Sequence, residues 1–156
     1  MTWLVIRVRS NVGVERSIRE TMDYLNLTRV NHAVLVPEND TYAGMLQKAK
    51  DYVTWGQVDA DTTEALIRER GRLIGDKVVT DEAVAEGTEF SNVTEYAKAI
   101  AAGDATTKEM DSLKRVFRLH PPRGAKGWGG IKRHFTVGGA LGYRGEAITD
   151  LAGRMI

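Results

Sequence analysis

From Ser112 to Gly145 the chain carries no carboxylate, while the same window holds eight Lys/Arg, two of the three histidines, eight glycines, Pro121, Pro122 and Trp128. A segment so composed packs poorly by itself and must be held by a scaffold built elsewhere. Its cations are Lys114, Arg115, Arg118, Arg123, Lys126, Lys132, Arg133 and Arg144. Guanidinium and ammonium groups without acidic neighbours call for an external counter-charge, and nucleic acid phosphates are the densest source. Glycines let backbone approach a surface closely and take positive φ. We read the window as a loop system for binding nucleic acid.

The whole-chain net charge of +1 conceals this feature. Residues 59–111 hold 13 acidic against 6 basic side chains and offset the basic end. Docking on a polyanion depends on the local field rather than the total, so near-neutrality does not exclude a nucleic acid partner. The acidic stretch has three readings: a solvated outer face, a surface for another protein, or an adaptation to high salt.

At 156 residues and 42% apolar content, one core with an elaboration is expected. The absence of cysteine removes disulfides, thiolate zinc sites and cysteine nucleophiles, which fits a reducing compartment and predicts a cytoplasmic protein. The longest apolar runs, such as Trp3 to Ile6 and Ala33 to Val36, fall far short of a membrane span, so no membrane association is expected.

Thr2 to Arg9 alternates as a strand, with Leu4, Ile6 and Val8 on one side. Val14, Ile18, Met22 and Leu25 recur at helical spacing and predict a helix over 14–27. A second strand is expected at His32 to Pro37, a helix through Tyr42, Met45, Leu46, Ala49 and Val53, and a third strand within Tyr52 to Val58. This is an α+β sheet with helices on one face. Short helices follow around 62–73, 81–86 and 93–102, separated by Gly75, Gly87 and Gly103. Phe117, Leu119, Ile131, Phe135 and Val137 alternate with polar residues, so two short strands should flank the glycine-rich loop, one face packing and the other presenting cations. Ile148, Leu151, Ala152 and Met155 form the stripe of a closing helix. Packed on the first sheet, that helix would bring the basic loops beside Arg7 and Arg9.

The chemistry of a site is sparse. His32, His120 and His134 show no pair at helical spacing and no neighbouring carboxylate, so neither a metal nor another cofactor is expected. No phosphate-loop motif GxxxxGK[ST] and no GxSxG elbow occurs, and no catalytic constellation can be assembled. Two GxxG matches, Gly127 to Gly130 and Gly142 to Gly145, are expected by chance at this glycine density. Trp128 either stacks on an unpaired base or plugs into the protein's own core.

Two blocks carry a resemblance to a known family. The stretch VFRLHPPRGAKGWGGIKRHFTVGGALGYRGEAITDLAGRMI, Val116 to Ile156, resembles the C-terminal signature of the large-subunit ribosomal protein family called L-thirty in bacteria and archaea and L-seven in eukaryotes. HAVLVPENDTYAGMLQKAKDYVTWG, His32 to Gly56, resembles that family's strand, Gly-Met helix and closing strand. Together they cover about 99 residues, counting the compact first unit, Met1 to Val58, with which the family's minimal form agrees in length.

The resemblance implies a ferredoxin-like three-stranded antiparallel sheet with two helices at 1–58, an acidic helical insertion of archaeal type at 59–112, and a basic glycine-rich extension with its closing helix at 113–156. It implies a non-enzymatic constituent of the large subunit, monomeric there, that binds and braces ribosomal RNA beside neighbouring ribosomal proteins. The RNA contacts expected from the acid-free window and from the docking of the closing helix are Arg7, Arg9, Lys114, Arg115, Arg118, His120, Arg123, Lys126, Trp128, Lys132, Arg133, His134 and Arg144. Ala43 stands where an Arg often precedes the Gly-Met pair, leaving Lys48 and Lys50 as lower-ranked RNA contacts. The alternative is a non-ribosomal RNA-binding or RNA-processing factor with a phosphate-binding glycine loop.

Overall fold

A computed structural model describes residues 1–124 and 127–156. Its centre is the antiparallel trio expected from the alternation. Strand β1 (Thr2–Arg7) lies between β2 (His32–Pro37) and β3 (Val53–Gln57), with Leu4 opposite Leu35 on one side and Gly56 on the other. The sheet does not stop there. Strand β4 (Phe117–Arg118) pairs antiparallel with β2, β6 (Gly139–Tyr143) runs parallel to β3, and β5 (Gly130–His134) runs parallel to β6. The order is β4-β2-β1-β3-β6-β5, so the expected three-stranded sheet is corrected to six strands.

Helices cover both faces rather than one. α1 (Arg16–Tyr24) and α2 (Asp40–Lys48) enclose one cluster, in which Met22, Leu25, Leu27 and Leu46 meet Val5, Val34, Val53 and Trp55. On the opposite face α3 (Ala60–Arg70), α4 (Asp81–Gly87), α5 (Val93–Ala102) and α6 (Ala147–Met155) bury Leu66, Ile67, Val84, Tyr96, Ile100, Ile148 and Leu151 against Leu4, Ile6, Ala33 and Leu35. Both sides of β1 are therefore core. Full burial of each large apolar side chain is worth about 1.5–3 kcal/mol, enough to hold short helices that would not persist alone. Residues of 1–58, 59–112 and 113–156 contribute to this one cluster.

Side-chain caps set the helix starts: Asn39 accepts from the Tyr42 N–H, Asp59 from Thr62, Thr80 from Ala83 and Asn92 from Glu95. The first helix is shorter than predicted because Asn26, at φ 64°, turns the chain so that Leu25 and Leu27 enter the core from a loop. The helix expected to run to Leu73 ends at Arg70. A Cβ on Gly71 would lie 2.3 Å from the Ile67 oxygen, and the chain leaves in extended conformation there.

The glycine-rich window contains a strand that its composition hides. A 3₁₀ turn at Phe135–Val137 and Gly138, at φ 86°, lead the chain from β5 into β6. The glycines serve close approach within the protein itself: a Cβ on Gly139 would lie 2.0 Å from the Arg133 oxygen.

Candidate nucleic-acid interface

The strand order places the two halves of the acid-free window at opposite edges of the sheet. β4 and β5 are five strand spacings apart, about 24 Å at ~4.8 Å per step. At the β4 edge Phe117 is buried and anchors the strand, while Arg118 and Arg115 stand in solvent. Lys114 sits beside them, its Nζ 2.6 Å from Asp76 Oδ1. Asn26, Thr28, His32, Lys114, Arg115, Val116 and Arg118 line a groove here of about 430 Å³.

Burial, then the Arg118, Arg29 and Arg7 charges, push the His32 imidazole below its ordinary pKa of 6.5. The folded protein therefore binds fewer protons at this site than the unfolded chain. Its contribution to stability is intact above about pH 6.5 and is lost as pH falls toward the lowered folded-state value. We predict that thermal stability drops through that window and that His32→Gln flattens the drop. An unchanged acid limb in the variant would count against the assignment.

At the β5 edge Lys132 and Arg133 are exposed. The expectation that the apolar side of this segment packs is corrected: Ile131, in the outermost strand β5, and Phe135 and Val137, in the turn after it, are 42%, 38% and 65% exposed. His134 Nε2 lies 3.3 Å from Asp51 Oδ1. Lys50, from the end of α2, lines a shared cleft with His134, Phe135 and Tyr143, whereas Lys48 is simply exposed.

Two of the residues expected as contacts are enclosed by the protein. Arg7 is 1% exposed, and its guanidinium donates to the carbonyls of Leu27 (2.7 Å) and Arg9 (2.9 Å) and to Asn11 Oδ1. Arg144 is 8% exposed, donates to Thr54 Oγ1 and the Ala140 carbonyl, both at 2.8 Å, and lies 4.9 Å over the Phe135 ring. Burial pulls its pKa down to about 10, so it remains charged at neutral pH. Both arginines brace the backbone, Arg7 at the end of β1 and Arg144 where β6 turns into α6.

The remaining candidates divide. Arg9 is partly exposed, 5.3 Å over the Tyr52 ring. Of the two readings of Trp128 the packed one is seen: the indole is half-buried against the cluster of Val8, Ala140 and Leu141. That contact carries the glycine-rich loop to the end of β1, as the closing-helix argument predicted. His120 is half-buried, with its backbone N–H donating to the Met155 carbonyl. Arg123 is exposed, its backbone N–H held by the Arg154 carbonyl, and Lys126 lies outside the described residues.

Arg154 was not singled out by sequence. Its Nη1 donates to the Gly127 carbonyl at 2.9 Å, which pins the loop to α6. An arginine on a helix ordinarily reads as surface charge, and the Asp150 four residues earlier reinforces that reading.

Among the described residues, Arg115, Arg118, Arg123, Lys132 and Arg133 form no ion pair with a carboxylate. The described residues hold no cluster of metal-ligating side chains, and none of their helices is long and apolar enough to cross a membrane. What the fold presents is a sheet with exposed cations at each edge, Arg115 and Arg118 at one and Lys132 and Arg133 at the other. Exposed cations at both edges of one sheet are chemically suited to a polyanion.

Residues 3–53 match the family model described as Ribosomal protein L30p/L7e. The chain is 52% identical over 154 residues to "Large ribosomal subunit protein uL30" of Methanobrevibacter smithii, covering 99% of each chain. It is 53% identical to the protein of that name from Methanopyrus kandleri, over 96% of this chain and all of the relative, and 50% identical from end to end to the one from Methanococcus maripaludis. This chain belongs to the L-thirty family of ribosomal proteins, with archaeal relatives, and that family is one of structural ribosomal components rather than enzymes.

Proposed function

We propose that this protein is a constituent of the large ribosomal subunit that binds and braces large-subunit ribosomal RNA, in the cytoplasm, as a monomer among neighbouring ribosomal proteins. The full-length relatives are named as large-subunit proteins, and the observation that carries the RNA contact is the placement of unpaired cations at both edges of one sheet. Arg115 and Arg118 serve one RNA segment, assisted by Lys114 and His120. Lys132 and Arg133 serve a second, assisted by Lys50 and His134, and Arg9 and Arg123 add charge along the connecting loop. Residues 1–58 act as the core scaffold, 59–112 as the acidic insertion that covers its second face, and 113–156 as the binding extension.

Phosphate contacts position such a protein, and in irregular RNA recognition is largely of shape. Affinity for a large-subunit ribosomal RNA fragment should then fall by about 0.7–0.9 log units per log unit of salt for each phosphate neutralised. A filter-binding titration from low to moderate salt measures the slope, and a flat response would remove the electrostatic basis of this reading.

A further inference from the structure

A second cleft adjoins the groove at the β4 edge. It has a volume of about 500 Å³ and lies along the outer side of β2, between Tyr24 and Tyr42 on one bank and Thr106 and Thr107 on the other. Its origin is the brevity of β4, which pairs only with His32 and Ala33 and leaves Val34 to Pro37 without a neighbouring strand on that side. The two hollows share Asn26 and Arg115, so they form one trough with different ends. One end is floored by Val34, Leu35 and Val36 and flanked by tyrosines. The other holds Lys114, Arg115 and Arg118. No Asp or Glu lines either.

A hollow of this size with an aliphatic floor, an aromatic flank and a polar rim that includes Lys108, adjoining a cationic groove, matches the two halves of a nucleotide. Asn39 adds polar capacity at the aromatic end: its Oδ1 accepts the Tyr42 N–H, which leaves its amide NH₂ available. We propose that this trough receives an unpaired RNA nucleotide, with its base against Tyr42 and Tyr24 and its phosphate on Arg115 and Arg118. The inference rests on the RNA-binding reading above and names the kind of RNA that the β4 edge takes.

The rival occupant is a peptide strand added to the free edge of β2, and the backbone disfavours it. Asn31 O accepts from the Leu119 N–H at that edge, so with a period of two Leu35 and Pro37 point their backbone outward. Proline has no N–H, and an incoming strand would find one donor, at Leu35.

The test uses the full chain and two probes: a single-stranded mixed-sequence hexaribonucleotide carrying a central 2-aminopurine, and a perfectly paired RNA duplex. The single strand is expected to bind with a change in 2-aminopurine fluorescence. Tyr42→Ala and Tyr24→Ala should each weaken it by about tenfold, the loss of a base stack, with duplex binding unchanged. Tyr24 is 75% exposed, so its variant reports even if Tyr42→Ala unfolds. Single-strand affinity that is unmoved by Tyr24→Ala, alongside normal salt-dependent duplex binding, would overturn the nucleotide trough alone. Failure of the wild-type chain to bind either RNA would overturn the RNA-binding reading beneath it. Displacement of the bound single strand by an extended peptide, with amide shifts centred on Leu35, would assign the edge to a protein strand instead.

Discussion

Gly56→Ala should lower the thermal transition by about 6–12 °C, although it adds a single methyl group. A Cβ at Gly56 would lie 1.9 Å from the Gly145 oxygen, 2.9 Å from its carbonyl carbon and 3.0 Å from Ile148 Cβ. The first two are backbone and cannot rotate away. They are held in turn by the Arg144 N–H bond to the Trp55 carbonyl, at 2.9 Å. Relief requires the turn at Gly145 to lift from β3, and α6 begins two residues later. Overpacking against fixed backbone costs about 1–3 kcal/mol. Partial loss of the burial of Ile148, Leu151 and Met155, all fully buried, adds to it, and about 3 kcal/mol in total gives the shift stated. Hydrogen exchange should locate the loosening in 147–155. A transition within about 2 °C of the wild type would show that this contact is not the seat of α6.

The second large effect is functional and leaves the fold alone. Arg115, Arg118, Lys132 and Arg133 are exposed and unpaired, so reversing all four to Glu should leave thermal unfolding within a few degrees of the parent. Binding to large-subunit ribosomal RNA should be lost at moderate salt, and the salt slope should shrink by about 1 for each phosphate contact removed. Because the pairs occupy opposite edges of the sheet, the free-energy losses of Arg115→Glu/Arg118→Glu and Lys132→Glu/Arg133→Glu should add. If one pair alone abolished binding and the other changed nothing, the protein would dock by a single edge. If the quadruple variant bound normally, the cations would have no part in it.

The central trio of strands could be read from the chain because alternation and length agree there: Leu4 and Ile6 face one cluster and Val5 the other, and β2 spans the predicted residues. The helices expected near 62, 81 and 93 start within two residues of those positions, and Asp59, Thr80 and Asn92 fix the starts by capping within three positions. The resemblance at Val116 to Ile156 pointed to the family that the full-length comparisons then showed.

What local pattern could not convey was long-range pairing. Gly139 and Gly142 weigh against a strand by propensity, yet they form β6 because its neighbours leave no room for side chains: a Cβ on Gly142 would meet His134 Nδ1 at 2.8 Å. Arg144 reads as a phosphate contact from its place in the acid-free window, and Arg7 from the expected docking of the closing helix. Their burial depends on carbonyls and hydroxyls offered by residues as distant in sequence as Leu27 and Thr54. The separation of one continuous basic segment into two edges likewise follows from topology, since β4 and β5 are a dozen residues apart in sequence and the full width of the sheet apart in space.

The parallel pairing of β6 with β3 also imposes an order of events during synthesis. Everything that β6 and α6 pack on is translated before them, so as the chain emerges β3 presents an unsatisfied outer rim and the floor beneath α6 stays uncovered. Lys132 and Arg133 emerge ahead of the segment that seats them. A nascent chain in that interval combines exposed sheet edge with loose positive charge, the state most open to premature aggregation or misplaced polyanion capture. Seating of residues 139–155 ends it.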